Sequence, residues 1–128
     1  MSEARDIKLK CYQDALEEYI IAVESVCIQL NRLNKQNDLL DEELMIRDRT
    51  QTIFDLELSL VNICILLRKM TENKFITISS EKRADINSVI HSNRFDYMDE
   101  DTIYVYSQKG KEEVSLQQLL SFAKSVLE

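Results

Sequence analysis

The sequence has one glycine and no proline among its 128 residues. A P-loop, a dinucleotide-binding GxGxxG turn, a GxSxG nucleophile elbow and an EF-hand loop each need glycine at fixed positions, so the chain can build none of them. Because proline and glycine are the residues that most often interrupt helices, their scarcity predicts long, continuous helices. Most of the familiar catalytic sites are therefore excluded.

Histidine and cysteine are also scarce. A single histidine, His91, rules out the metal motifs HExxH and HxxxH, which need two. The three cysteines, Cys11, Cys27 and Cys64, stand singly in apolar helical patterns and form no CxxC pair. They predict reduced core thiols, with no metal and no other cofactor. Since the N-terminus also lacks an apolar signal segment, we expect a soluble, cytoplasmic protein.

The charge is negative overall but unevenly distributed. Sixteen basic and 23 acidic side chains give a net charge of −7, which opposes non-specific binding to DNA or to an anionic membrane. The longest apolar stretch, 56–67, is broken by polar residues and is too short to span a bilayer. Only residues 74–94 have a positive balance, and this segment also contains His91.

Apolar spacing predicts two long helices in the N-terminal half. A stripe at steps of three and four from Tyr12 to Leu33 indicates a helix over about 4–34. A second helix is predicted over about 38–72, with Asp38 as its N-cap and a kink or a restart near Thr50–Thr52. Residues 53–70 are apolar on two sides. That segment is therefore either the central helix of a bundle or a helix shared with a second subunit.

The C-terminal half predicts shorter elements. We expect a helix over about 80–91 with Ser79 or Ser80 as N-cap, followed by a polar loop over 93–101. A hairpin is expected over about 102–114, with Gly110 in its turn. The last element is a terminal helix over about 116–127, capped by Ser115 and Gln118. The fold class is therefore mostly α: a single domain forming an up-and-down bundle of four to five helices, with one small β-hairpin near the C-terminus.

One constellation carries chemical information. The segment Asn87-Ser88-Val89-Ile90-His91 ends a helix and is followed by an acidic loop, a hairpin and a capped terminal helix. This arrangement resembles the C-terminal half of HEPN-type domains (the higher eukaryote and prokaryote nucleotide-binding superfamily), whose members carry an Arg-Asn…His signature. His91 and Asn87 match the family histidine and asparagine, whereas the arginine position falls on Ile86.

The resemblance implies a homodimer, which the two-sided apolar helix also favours. Active members of this family are metal-independent ribonucleases, in which histidine transfers a proton and arginine stabilises the developing phosphorane charge. Ile86 supplies no charge. Arg83 lies on the same helical stripe as Asn87 and His91, within an arc of roughly 80°, and is the candidate substitute.

Two further groups complete the candidate residues. Arg94, just beyond the helix, is another partner for His91, and it is expected together with Lys82 to bind ligand. The acidic residues Asp96, Asp99, Glu100 and Asp101 are expected to form a solvated loop, and they are candidates for docking a basic partner protein.

Three functional hypotheses follow. The first is a HEPN-like dimer that has lost catalysis and binds RNA, a nucleotide or a partner protein, in the bacterial toxin–antitoxin or phage-defence setting that the resemblance implies. The second is an endoribonuclease that uses His91 with Arg83 or Arg94. The third is a small acidic inhibitor or adaptor of phage type that blocks a basic partner surface. We favour the first, because Ile86 occupies the arginine position.

Overall fold

The computed structural model describes residues 3–35 and 42–128 of the chain, with side chains from residue 47 onward in the second range. These residues form four helices and three strands. In chain order they are α1 (Glu3–Lys35), α2 (Glu42–Glu72), α3 (Ser80–Ile90), β1 (Arg94–Tyr97), β2 (Ile103–Ser107), β3 (Gly110–Val114) and α4 (Leu116–Val126). The predicted fold class, mostly α with a small hairpin near the C-terminus, is confirmed.

The helices α1 and α2 pack antiparallel along most of their length. Lys8, near the start of α1, donates to Asn73 just beyond the end of α2 at 2.9 Å, and the opposite ends are joined by a hydrogen bond between Arg49 and Asn34. Each helix contributes one stripe of buried residues to a shared core. The α1 stripe comprises Leu16, Ile20, Val23, Val26, Cys27 and Leu30, and the α2 stripe comprises Leu56, Leu60, Ile63, Cys64, Leu67 and Met70.

Two details of the helical predictions need correction. The restart of the helix considered near Thr50–Thr52 does not occur, since α2 runs without interruption from Glu42 to Glu72. The Thr52 hydroxyl donates to the carbonyl of Asp48 at 2.6 Å, so its polar group is satisfied inside the helix. Cys11 is exposed and not a core thiol, because position 11 lies away from the buried stripe of α1. The predicted N-cap Asp38 lies outside the described residues.

The hairpin predicted over about 102–114 is present as β2 and β3, and β1 extends it to a three-stranded antiparallel sheet in the order β1-β2-β3. The segment 93–101, predicted as a polar loop, contains β1, in which Phe95 and Tyr97 are buried while Arg94 and Asp96 are turned outward. Arg94 pairs with Tyr106 and Tyr97 pairs with Ile103. The four residues do alternate polar and apolar side chains, but the run is short and lies within a segment that is otherwise polar.

The outer side of α2 is not covered by the described residues of the chain. Phe54 and Leu58 are 58% and 67% exposed, so α2 is not a central helix enclosed by the bundle. Among the described residues, Arg47–Glu72 is long and apolar enough to cross a membrane by length and composition alone, a test that the core helix of a soluble protein also passes. With one full stripe of α2 in the shared core, the chain folds as a small soluble domain.

Candidate functional site

A cavity of about 720 Å³ lies between α3 and the turn that joins β2 to β3. Arg83, Asn87 and His91 line it from the helix, and Lys109 lines it from the turn. The structure therefore brings together the three residues that helical spacing placed on one stripe. Lys109 adds to them a cation that the sequence pattern did not single out.

Helix α3 presents this stripe because its other side is anchored in the core. Ile86 and Val89 are buried, which turns positions 83, 87 and 91 away from the core and toward the cavity. The helix begins at a defined N-cap, where the Ser79 side chain accepts a hydrogen bond from the backbone N–H of Lys82 at 3.1 Å. Ser79 was one of the two predicted caps, and the hydrogen bond fixes the residue at which the helix begins.

His91 is the C-cap of α3. Its backbone N–H donates to the carbonyl of Asn87 at 3.0 Å, and its side chain is exposed at the mouth of the cavity. A histidine at a helix C-terminus is favoured by the helix dipole when it is protonated. The capping role and the cavity position are compatible, because the backbone makes the cap and the ring remains available.

The opposite wall is formed by the turn between β2 and β3. Gly110 has a φ of 107°, a conformation that favours glycine, and the Ser107 hydroxyl accepts a hydrogen bond from the Lys109 N–H at 3.2 Å. These constraints hold Lys109 at the cavity edge. The residues around Gly110 signalled the turn in the sequence, but the packing of that turn against α3 depends on contacts that no local pattern shows.

A hydrogen bond joins the two walls. The Ser88 hydroxyl donates to a carboxylate oxygen of Glu112 on β3, and both residues line the cavity. Glu112 is the acidic group in a lining that otherwise carries the cations Arg83 and Lys109 together with His91. The charge of the cavity is therefore positive on balance, within a chain that is negative overall.

Two basic residues expected at the site lie elsewhere. The Lys82 ammonium lies 5.6 Å from the centre of the Phe122 ring of α4, on another side of α3 from the cavity. The Arg94 guanidinium lies over the Tyr106 ring at 4.3 Å and 3.8 Å from the Asp96 carboxylate, on the outer face of the sheet. Backbone position keeps both away from the cavity, because position 82 lies about 100° around the helix from Arg83 and Arg94 lies on the outward side of β1.

Ile86, at the position that matches the family arginine, belongs to the hydrophobic core and is 1% exposed. Its side chain does not line the large cavity beside Asn87 and His91. The positive charge on this side of α3 comes instead from Arg83, one turn earlier.

The acidic residues of the 96–101 segment do not act as one group. Asp96 accepts from the Tyr106 hydroxyl at 3.0 Å on the sheet. Asp99 closes the β1–β2 turn, since one of its carboxylate oxygens accepts from the N–H groups of Asp101 and Thr102 at 2.9 and 2.8 Å. Glu100 and Asp101 are exposed on that turn. Within residues 3–35 and 42–128, no group of three or more potential ligands is placed to hold a metal ion.

Comparison with known proteins adds no family to this description. No protein-family model, no curated protein and no solved structure matches the chain.

Proposed function

We propose that this chain is a HEPN-like cytoplasmic binding domain whose cavity between α3 and the β2–β3 turn holds a phosphate group of RNA or of a nucleotide. The observation that carries the proposal is the convergence of Arg83, Asn87, His91 and Lys109 on one cavity. Arginine offers a planar fork of donors that suits phosphate oxygens, and lysine adds a point charge. The bacterial conflict setting is part of the proposal only through the resemblance to HEPN domains.

Binding is favoured over catalysis by the spacing along α3. Arg83 and His91 are eight residues apart, which corresponds to about 12 Å along a helix axis. A general acid or base and the cation that stabilises the transition state must both reach the same phosphate. Within one chain this separation suits contacts to successive groups of a ligand better than attack on a single phosphate.

The test compares two charge reversals on adjacent residues of α3. Arg83→Glu removes a cation from the cavity, whereas Lys82→Glu makes the same charge change outside it. Glutamate at position 82 lies three residues after the Ser79 N-cap, the arrangement of a capping box, so this control is expected to fold normally. We expect a fluorescent single-stranded RNA or a labelled nucleotide to bind the wild type and Lys82→Glu with similar affinity, and Arg83→Glu at least about tenfold more weakly.

Equal losses of affinity in both variants would show that the loss reflects net charge alone, and absence of binding by the wild type would contradict the proposal.

A second function, metal-independent RNA cleavage, is favoured by one observation, namely that His91 lines the same cavity as Arg83. Incubation of the RNA probe in the presence of EDTA distinguishes the two functions. Cleavage that is lost in His91→Ala would establish the nuclease and overturn a purely binding role.

A further inference from the structure

The outer side of α2 carries an apolar stripe that nothing in the described part of the chain covers. It consists of Phe54, Leu58, Val61 and Ile65, spaced by four, three and four residues as in the seam of a coiled coil. Phe54 and Leu58 are more than half exposed, and Val61 and Ile65 are partly exposed. Isolated exposed apolar residues are common on protein surfaces, but a continuous stripe on one helix marks an interaction surface.

We propose that this stripe is the interface of a homodimer in which α2 of a second copy packs antiparallel across it. The spacing of the stripe is symmetric about the point midway between residues 59 and 60. A two-fold axis at that point pairs Phe54 with Ile65 and Leu58 with Val61, once on each side. All four apolar side chains then meet apolar partners.

The charged residues that continue the stripe support the same arrangement. Continuing the spacing in both directions reaches first Gln51 and Arg68, which the axis places opposite each other, and then Arg47 and Glu72, both exposed. The same two-fold axis places Arg47 opposite Glu72. On the flank of the stripe it brings Asp48 close to Lys69, which are also exposed. Oppositely charged residues therefore meet at both ends, whereas a parallel pairing would bring each charge against its own copy.

The positions of the charges also distinguish this register from the two registers shifted by one heptad. A shift by one heptad in one direction places Phe54 opposite Glu72, and a shift in the other direction places Arg47 opposite Ile65. Each shift moves an apolar side chain of the stripe against a charge. The partner that fits this surface is thus a second copy of this chain, in one orientation and one register.

The proposal is independent of ligand binding at the α3 cavity and is tested by mass in solution. The chain has a mass of 15.0 kDa, so light scattering after gel filtration is expected to show about twice that mass for the wild type. Leu58→Asp should give a folded monomer, because Leu58 is 67% exposed and contributes little to the core of its own subunit. Circular dichroism of the variant verifies the fold.

The matched control is Ile21→Asp on α1, where an isoleucine is 60% exposed but does not belong to the stripe. It should remain a dimer, with Leu58→Asp raising the dissociation constant by about tenfold or more relative to it. A wild type that is monomeric at about 100 μM would overturn the proposal. Equal dissociation by both variants, or binding of monomeric protein to phosphatidylcholine vesicles through Leu58, would do so too.

The orientation is tested by exchanging charges. Arg47→Glu and Glu72→Arg each place like charges opposite one another in the antiparallel register, and each should weaken the dimer. The double variant restores opposite charges across the interface and should recover wild-type association. If the two single variants weaken the dimer and the double variant weakens it further, the antiparallel register is wrong.

Discussion

Glu57 on α2 accepts a hydrogen bond from the backbone N–H of Phe95 on β1 at 3.0 Å. Two residues further along β1, the carbonyl of Tyr97 accepts a hydrogen bond from the Arg49 side chain of the same helix at 2.9 Å. In an antiparallel sheet every second residue of an edge strand turns its backbone groups away from its neighbour. Two side chains of α2 thus occupy these groups of β1, which protects the edge of the sheet from pairing with another strand.

This contact predicts a pH dependence of stability. Burial raises the pKa of the Glu57 carboxyl above its usual range, and the Phe95 N–H opposes this shift in part. Between the unfolded and the folded pKa the native state therefore binds more protons than the unfolded state, so the free energy of unfolding falls as the pH rises through that window. Glu57→Gln retains an acceptor for Phe95 and should abolish this fall.

Urea unfolding between about pH 4 and pH 7 measures the effect in both proteins. The companion variant Glu57→Ala removes the acceptor and leaves a buried N–H without its partner, at an expected cost of about 1–3 kcal/mol. Parallel pH profiles for the wild type and Glu57→Gln would show that this carboxyl titrates as it does in the unfolded chain.

Thiol reactivity distinguishes the three cysteines. Burial, assisted by the negative charge of Glu100, raises the pKa of the Cys27 thiol to about 11. Burial, with a contribution from Asp85, also raises the pKa of the Cys64 thiol. We expect Ellman's reagent to modify one thiol rapidly at about pH 8, since only the thiolate reacts, and to modify the other two only on unfolding. Cys11→Ser should remove the rapid phase, and rapid modification of all three thiols would show that the core opens readily.

The buried hydroxyl of Tyr97 links the sheet to α1. Tyr97 is fully buried and donates to the side-chain carbonyl of Asn31 at 2.8 Å. Tyr97→Phe should cost about 1 kcal/mol of stability, and Asn31→Ala a similar amount. In a double-mutant cycle measured by urea unfolding, the two losses should not add, because each removes the same hydrogen bond. Tyr104→Phe, on the outer face of the sheet, is the control, and it should leave stability unchanged within about 0.5 kcal/mol.

Periodicity predicted those elements whose local sequence agrees with their tertiary role. The stripe of α1 and the Ser115 cap of α4, which accepts from the Gln118 N–H at 3.3 Å, are of this kind. Strand β1 carries a polar/apolar alternation over only four residues, within a segment that is otherwise polar. Its contacts with Glu57 and Arg49, some forty residues away in the chain, are not visible in the local sequence.

The residues of the candidate site were likewise predicted only in part. Helical spacing placed Arg83, Asn87 and His91 on one face, and all three line the cavity. Lys109 joins them through the packing of a turn, whereas Lys82 and Arg94 lie on other faces, beside the rings of Phe122 and Tyr106. Spacing along a helix determines which side chains share a face. It does not determine what lies opposite that face, and this second half of the site depends on tertiary structure.

Placing an arginine at position 86 should destabilise the protein instead of creating a nuclease. Ile86 is buried against the core, so Ile86→Arg would bury an unpaired charge, and we expect a loss of about 3–5 kcal/mol with no gain of RNA cleavage. Ile86→Val, the volume control, should cost about 0.5–1.5 kcal/mol. Urea unfolding and a cleavage assay on both variants decide the matter. A stable Ile86→Arg protein that cleaves RNA would place position 86 at the site and overturn the assignment of the positive charge to Arg83.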